Sequence, residues 1–245
     1  MNVISKTDLE SKALMSGNEA VARAVWEAGA RVGCAYPGTP STEILENLST
    51  YDDIHAHWSV NEKTSLEVAI GASIAGSRAF CAMKHVGVNV AADALMSLTL
   101  SGVRGGLVMA VADDIGFSSS QNEQDTRYWG RFAHLPIFEP SDSQEAHDMV
   151  KAAFDLSEEY ATPVIVRMTT RICHVKGLVT LGDRVELEGE AFERDPAHWV
   201  MVPAHAKERQ KYQFERDDQL AALSEETPWN PIIEGDEKSV GFVAS

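Results

Sequence analysis

Between residues 17 and 168 short apolar runs alternate with segments of helical period, and this alternation limits the fold more than any other feature. "RVGCAYP" (31–37), "IHAHWSV" (54–60), "RAFCAMK" (78–84), "GLVMAVADD" (106–114) and "TPVIVRM" (162–168) read as strands. "GNEAVARAVWEAGA" (17–30), "STEILENLSTY" (41–51), "EKTSLEVAIGASIAG" (62–76), "NVAADALMSLTLSG" (89–102) and "SQEAHDMVKAAFDLSEEY" (143–160) read as helices. The first helix repeats Ala20, Val21, Ala24 and Val25 at helical spacing, and the third sets Leu66, Ala69, Ile70, Ser73 and Ile74 on one side. The run at 106–114 is almost continuously apolar, as in a strand covered on both faces. Strands separated by helices join as right-handed crossovers between parallel neighbours. The expected fold is α/β, an open, mostly parallel sheet with helices on both faces. Pro40 suits a first helical turn, and Ser141 or Ser143 a cap for the helix that follows.

Such sheets bind ligands beyond the carboxyl ends of their strands. "AYPGTPST", "SVNE", "MKHVGVN" and "ADDIGFSSSQNEQD" all follow strands, so all four are expected along one rim. Glu62 is the sharpest candidate there. Asn61 can cap its helix and leave Glu62 as an ordinary first-turn acid, or Glu62 can be a carboxylate held on the ligand rim. Pro37-Gly38 can be a plain turn with Thr39 as a cap, or a stiff loop that aims the Thr39 hydroxyl inward. His85, Asn89, Gln121 and Asn122 are polar groups on the same rim. "SSSQNEQD" is either a mobile loop or a lid. No GxGxxG follows the first strand and no GxxxxGK[ST] occurs. "GASIAG" (71–76) lies in a helical pattern, where small residues favour close helix packing. The acids ending "GLVMAVADD" leave a nucleoside-binding reading weakly open.

Composition closes other routes. Lys and Arg number 21 against 37 Asp and Glu, a formal charge of −16, which argues against nucleic acid and anionic membranes. No apolar run approaches the roughly 20 residues of a membrane span, and "MNVISKTDLESKALMSG" has no charged-then-apolar signal pattern. Cys34, Cys81 and Cys173 are far apart and form no CxxC pair, so no metal motif is expected. Buried free thiols suit a reducing cytoplasm, the expected location. The 245 residues, 44% hydrophobic, suffice for one large domain.

After residue 175 the chain is charged, proline-broken and weakly periodic. The expected organisation is a domain over 1–178, an extended linker with one helix (203–224) over 179–238, and the start of a following, truncated domain at 239–245. "SVGFVAS" there reads as a new buried strand.

"YPGTPSTEI", "NEKTSLEVAIGASIAGSRAFCAMKHVGVNVAADAL" and "GLVMAVADDIGFSSSQNEQD" together resemble the N-terminal pyrimidine-binding domain of the 2-oxoacid:ferredoxin oxidoreductases. The likeness covers about residues 17–175, and "MKHVGVN" and "SSQNEQD" are most similar to the alpha subunits of the indolepyruvate branch. The resemblance implies thiamine diphosphate as cofactor. It implies that Glu62 pairs with the aminopyrimidine ring and manages the proton traffic that frees the thiazolium C2. Thr39 would reach the substrate carboxylate from a loop fixed by Pro37 and Gly38. His85 would lie beside substrate, and Asn89, Gln121 and Asn122 beside cofactor. The implied activity is oxidative decarboxylation of aryl 2-oxo acids to acyl-coenzyme A, with ferredoxin as electron acceptor.

Three departures bear on this. "LGDRV" (181–185) and "EGDEK" (234–238) are not the GDG motif that holds the diphosphate through magnesium. The cysteine motifs of the iron–sulfur clusters are missing. Only Arg127 offers itself for the arginine that the pyruvate branch sets near substrate. The diphosphate side, magnesium and clusters are thus expected on another domain or subunit, most simply in a homodimer. The alternatives are another 2-oxoacid:ferredoxin oxidoreductase (pyruvate, 2-oxoglutarate or a branched 2-oxo acid) or a noncatalytic α/β interaction module.

Overall fold

A computed structural model describes residues 12–188, 192–236 and 239–242. The chain runs β1 (Lys12–Ser16), α1 (Gly17–Glu27), β2 (Val32–Ala35), α2 (Thr42–Leu48), β3 (His55–Trp58), α3 (Glu62–Ile74), β4 (Ala79–Lys84), α4 (His85–Ser101) and β5 (Leu107–Asp113). It continues through α5 (Arg127–Ala133), β6 (Ile137–Phe138), α6 (Ser143–Glu159), β7 (Val164–Thr169), α7 (Thr170–His174), β8 (Lys176–Thr180), α8 (Pro196–Trp199) and α9 (Pro203–Glu226). Six strands form one sheet in the order β3-β2-β4-β5-β7-β6, and each neighbouring pair is parallel. β1 and β8 form a separate antiparallel pair. The α/β expectation holds.

The sheet is covered on both faces, as its central strand requires. Every residue of β5 is buried. Along β4 alternate side chains enter opposite cores. Phe80 and Ala82 join Val25, Ile44, Leu48 and Phe154 from α1, α2 and α6, while Cys81 and Met83 join Leu66, Leu95 and Leu98 from α3 and α4. α1 opens with a capping box: Glu19 N–H donates to Ser16 Oγ at 3.3 Å, and Ser16 N–H to Glu19 Oε2 at 2.7 Å. α6 is capped by Asp142, which accepts from Glu145 N–H at 2.8 Å, rather than by Ser141 or Ser143. The Ser141 hydroxyl instead donates to Glu145.

One buried ionic cluster ties α1 to α6. Glu27 is fully buried and accepts from Arg23 Nε at 2.7 Å, Lys151 Nζ at 2.8 Å and Gly182 N–H at 2.7 Å, with His147 Nε2 at 3.0 Å. Burial raises its pKa, but His147, Lys151 and Arg23 more than offset that and hold it at about 2.

The region expected to be an extended linker packs on the body. Arg184 donates to Trp26 O at 2.6 Å, and Val185 N–H to Glu27 O at 2.7 Å. The expected helix is α9, and it lies against α4 through polar groups. Arg209 donates to Leu100 O, Gln213 to Thr99 Oγ1 and Arg216 to Thr99 O at 2.8 Å. The strand expected at 239–244 does not form over 239–242, where Val240 and Phe242 are exposed; the rest of it lies outside the described residues.

Candidate functional site

The parallel sheet sets the ends of β2, β3, β4 and β5 on one edge, so the four polar segments do share a rim. The chain leaves β2 through α2 to reach β3, then returns past β2 through α3 to β4. The strand order therefore reverses between β2 and β4, where open sheets present a ligand crevice.

Glu62 is the first residue of α3, and Asn61 caps that helix by accepting from Thr64 N–H at 2.9 Å. The capping geometry and the rim position thus coexist. Glu62 is only 9% exposed, yet its carboxylate has no hydrogen bond or ion pair among the described residues. Gly87, in the first turn of α4, lies directly against it: a Cβ there would come 2.7 Å from Glu62 Cγ. Three residues before Glu62, the Ser59 hydroxyl is also buried without a partner. Beneath it the Cys81 thiol is pushed up to about 12, chiefly by burial; a hydrogen bond with Ser65 opposes this, and the charges of Cys34 and Glu62 add to it. The three cysteines are buried free thiols.

The "YPGTP" loop packs on the end of β4. A Cβ on Gly38 would stand 3.1 Å from Lys84 Cδ, so the loop lies tightly on the lysine stem and a larger residue would push that stem aside by a few tenths of an ångström. Gly38 N–H donates to Thr42 Oγ1 at 2.9 Å, and Asn18 Nδ2 to Pro40 O at 2.8 Å. Pro37 and Thr39 are exposed, Pro40 is buried, and the Thr39–Pro40 peptide is cis. The helix begins at Thr42 after Ser41, so Pro40 is not in its first turn and Thr39 is not its cap. The Thr39 hydroxyl therefore stays open to the rim.

"MKHVGVN" is not a loop. β4 passes straight into α4 with Lys84 as the cap residue and His85 as the first helical residue. Val86, Gly87 and Val88 are weak helix formers, which hid this start. His85 is 1% exposed and both its nitrogens are engaged: Asp114 N–H donates to Nδ1 at 3.3 Å, and Nε2–H donates to Asn122 O at 3.0 Å. The donor at Nδ1 fixes the tautomer. His85 thus anchors the segment after β5 and turns no free nitrogen to a ligand in this arrangement. Asn89 lies exposed in the second turn of α4 rather than on a loop, and Gln121 and Asn122 are exposed on the loop that His85 holds.

That loop is folded around Asp114, which is 1% exposed. Asp114 Oδ2 accepts from Ser119 N–H at 2.8 Å, Ser119 Oγ at 3.0 Å and Ser120 Oγ at 2.7 Å, and Oδ1 from Thr170 Oγ1 at 3.2 Å. Burial raises the Asp114 pKa, and the bonds from Ser120, Ser119 and Thr170 outweigh it, holding it at about 2. Asp113 is taken up by Thr126 and by Arg167 Nε at 2.7 Å. Neither acid is free to hold a ribose, so the nucleoside reading falls. Arg127 is spent on Asp125, with its Nη2 2.8 Å from Oδ2. Lys84, Gly87 and Asp114 were not among the expected site residues. The glycine inside "HVGVN" and the doubled acid ending an apolar strand were the available signals.

Gly71 of "GASIAG" meets nothing within 4 Å of an added Cβ, so it serves no close packing within the described residues. Elsewhere, a cavity of about 820 Å³ lies between β6 and the end of α9, lined by Leu135, Ile137, Phe138, Leu220, Leu223 and Trp229 among others. It shares no residue with the rim. Among the described residues no group of three or more His, Cys, Asp or Glu side chains is set to hold a metal, and no helix is long and apolar enough to cross a membrane.

Residues 23–228 match the family described as pyruvate flavodoxin/ferredoxin oxidoreductase, thiamine diP-binding. The chain is 46% identical over 242 residues to indolepyruvate oxidoreductase subunit IorA of Archaeoglobus fulgidus, covering 95% of this chain and 39% of that one. Against the IorA subunit of Methanothermobacter thermautotrophicus the identity is 44% over 239 residues, 96% of this chain and 39% of the other. The 2-oxoglutarate synthase subunit KorA of the same organism is 31% identical over 185 residues, 71% of this chain and 48% of its own. The chain thus spans about two fifths of the length of the IorA relatives. A 2-oxoglutarate:ferredoxin oxidoreductase from Magnetococcus marinus, solved with 2-oxoglutarate, coenzyme A and succinyl-CoA bound, has the same fold at a TM-score of 0.69 and 17% identity, over 87% of this chain and 46% of that one. The chain belongs to the pyruvate flavodoxin/ferredoxin oxidoreductase family, as its thiamine diphosphate-binding domain.

Proposed function

We propose that this chain is the aminopyrimidine-binding part of an indolepyruvate:ferredoxin oxidoreductase, which decarboxylates aryl 2-oxo acids oxidatively to acyl-coenzyme A. The observation that carries the reading is Glu62, a nearly buried carboxylate without a protein partner at the point where the strand order reverses. An unpaired acid is costly to bury, so a ligand that donates a hydrogen bond to it supplies what the fold leaves out. Gly87 lets that carboxylate lie directly against the first turn of α4, which fixes where it points. The residues present fit an aminopyrimidine. Thiamine diphosphate, when bound, supplies the electron sink for decarboxylation.

Glu62 would accept a hydrogen bond from the aminopyrimidine and could pass a proton there, the general acid–base role that its carboxyl allows. Pro37 and Gly38 hold the loop that carries Thr39, whose free hydroxyl faces the substrate side. Gln121 and Asn122 on the loop, and Asn89 on α4, would be the exposed polar groups available to the cofactor. His85 keeps that loop closed and reaches substrate only if the loop opens. The magnesium and diphosphate ligands, the iron–sulfur clusters and the sites for coenzyme A and ferredoxin belong to other domains or subunits of the complete enzyme. A cytoplasmic homodimer and the division at residues 178 and 238 complete the proposal.

The greater identity and coverage against the IorA subunits than against KorA favour the indolepyruvate branch. The experiment is ferredoxin reduction by the complete enzyme with thiamine diphosphate, coenzyme A and each 2-oxo acid in turn. Indolepyruvate is expected to give the highest kcat/KM. A preference for pyruvate or 2-oxoglutarate would move the chain to another branch, and no turnover at all would leave an interaction module.

A further inference from the structure

We propose that Lys84 is the group that holds the carboxylate of the substrate, a role that rests on reading the rim as a 2-oxo acid site. Lys84 is 9% exposed, and lysine is seldom buried without a counter-charge. Its ammonium donates to Ser119 O at 3.0 Å, and no carboxylate among the described residues lies within ion-pairing distance. One neutral carbonyl leaves two of its three donors unused. The position makes the deficit larger. Lys84 caps α4, where the helix dipole is already positive, and the first turn of α4 carries no acidic residue. A cation there lacks the anion that the site favours.

The second, independent observation is Glu62. It touches Gly87, three positions along α4 from Lys84, so an unpaired acid and an unpaired cation flank the same helical turn. Both are nine-tenths buried, and they do not pair with each other. Two opposite charges that flank one helical turn without pairing suit a ligand set that donates a hydrogen bond on one side and carries a negative charge on the other. A ring nitrogen beside Glu62 and a carboxylate beside Lys84 meet both demands. Arg127 and Arg167 are held in ion pairs with Asp125 and Asp113, whereas Lys84 has no carboxylate partner among the described residues. The "YPGTP" loop steadies it: Gly38 packs on the lysine stem, and the next residue in that loop, Thr39, is exposed. Its bond to Ser119 O also ties carboxylate binding to the loop that follows β5.

The test uses the complete enzyme with Lys84→Met, which keeps the stem on Gly38 and removes the charge, and with Lys84→Gln as a second variant should the first not fold. For the aryl 2-oxo acid, KM is expected to rise roughly 10- to 100-fold, the usual weight of a hydrogen bond to a charged group, with kcat changed only a few-fold. Half-saturation by thiamine diphosphate should stay at the parental value. Calorimetry with indole-3-propionate, an unreactive carboxylate, should show the same fold-loss of affinity, while its neutral amide binds parent and variant alike. Equal losses for acid and amide would make Lys84 a loop latch only and overturn the proposal. Loss of thiamine diphosphate affinity with carboxylate affinity retained would assign Lys84 to the diphosphate and also overturn it. If the parent turned over no 2-oxo acid but bound indole-3-propionate in a Lys84-dependent way, the carboxylate site would stand and the proposed enzymatic function would fall.

Discussion

Glu62 and Gly87 are in direct contact across the start of α4, so close that a methyl group at position 87 would stand 2.7 Å from Glu62 Cγ and 2.8 Å from its Oε1. The helix that follows β4 therefore sets where the carboxylate of the neighbouring helix can point. The missing side chain at 87 is part of the acid's position rather than a weakness in α4.

Gly87→Ala tests that contact. Overpacking costs about 1–3 kcal/mol, and the better helix propensity of alanine returns up to about 1 kcal/mol, so the fold should survive. The carboxylate should not keep its place. A displacement of about 1 Å at a reacting group can cost roughly 100-fold in rate. Turnover of the complete enzyme should fall by that order while the thermal midpoint moves by only a few degrees. Parental turnover would mean that the Glu62 side chain moves aside freely and that its position carries no chemistry.

His85→Leu removes the ring that ties Asp114 N–H to Asn122 O. Hydrogen exchange of the amides at 115–124 should quicken, while those of α6 stay protected. Unchanged exchange in the loop would show that the serines around Asp114 hold it without His85.

Glu27 gives the fold an acid limit. Its folded pKa of about 2 lies below the roughly 4.3 of an unfolded glutamate, so its contribution is complete above that value and is lost as pH falls toward 2. The size is on the order of 3 kcal/mol. Glu27→Gln should lower stability at neutral pH, because Arg23, His147 and Lys151 lose their shared acid, and should flatten the decline between about pH 4 and 2. Urea unfolding across that range checks it; an undiminished acid decline would place the sensitive group elsewhere.

The sheet was legible because each of its main strands is a self-contained apolar run between helical segments. β1 and β8 were not, since "KALMS" and "KGLVT" alternate only briefly and pair across most of the chain. α9 was legible as a helix but not as a packed one, because its buried face is polar: Arg209, Gln213 and Arg216 donate to the carbonyls and hydroxyl at the end of α4, with Arg216 Nε left without a partner. At the site, Glu62 stood out as an acid after a strand. Its lack of a partner among the described residues is a matter of three dimensions, as is the burial of Lys84. His85 misled for the opposite reason. A histidine following a strand invites a ligand, and here the loop occupies both nitrogens.

The most direct test of Glu62 is exchange of the C2 proton of bound thiamine diphosphate, followed by NMR on the complete enzyme carrying Glu62→Gln. Glutamine keeps the size and one accepting oxygen but cannot pass a proton. General acid–base roles contribute roughly 100- to 10,000-fold, and both C2 exchange and 2-oxo acid turnover should slow by that order. Folding should change by less than about 1 kcal/mol, the value of a first-turn acid at a helix start. Parental exchange with parental turnover would make Glu62 an ordinary helix-start residue and contradict the account.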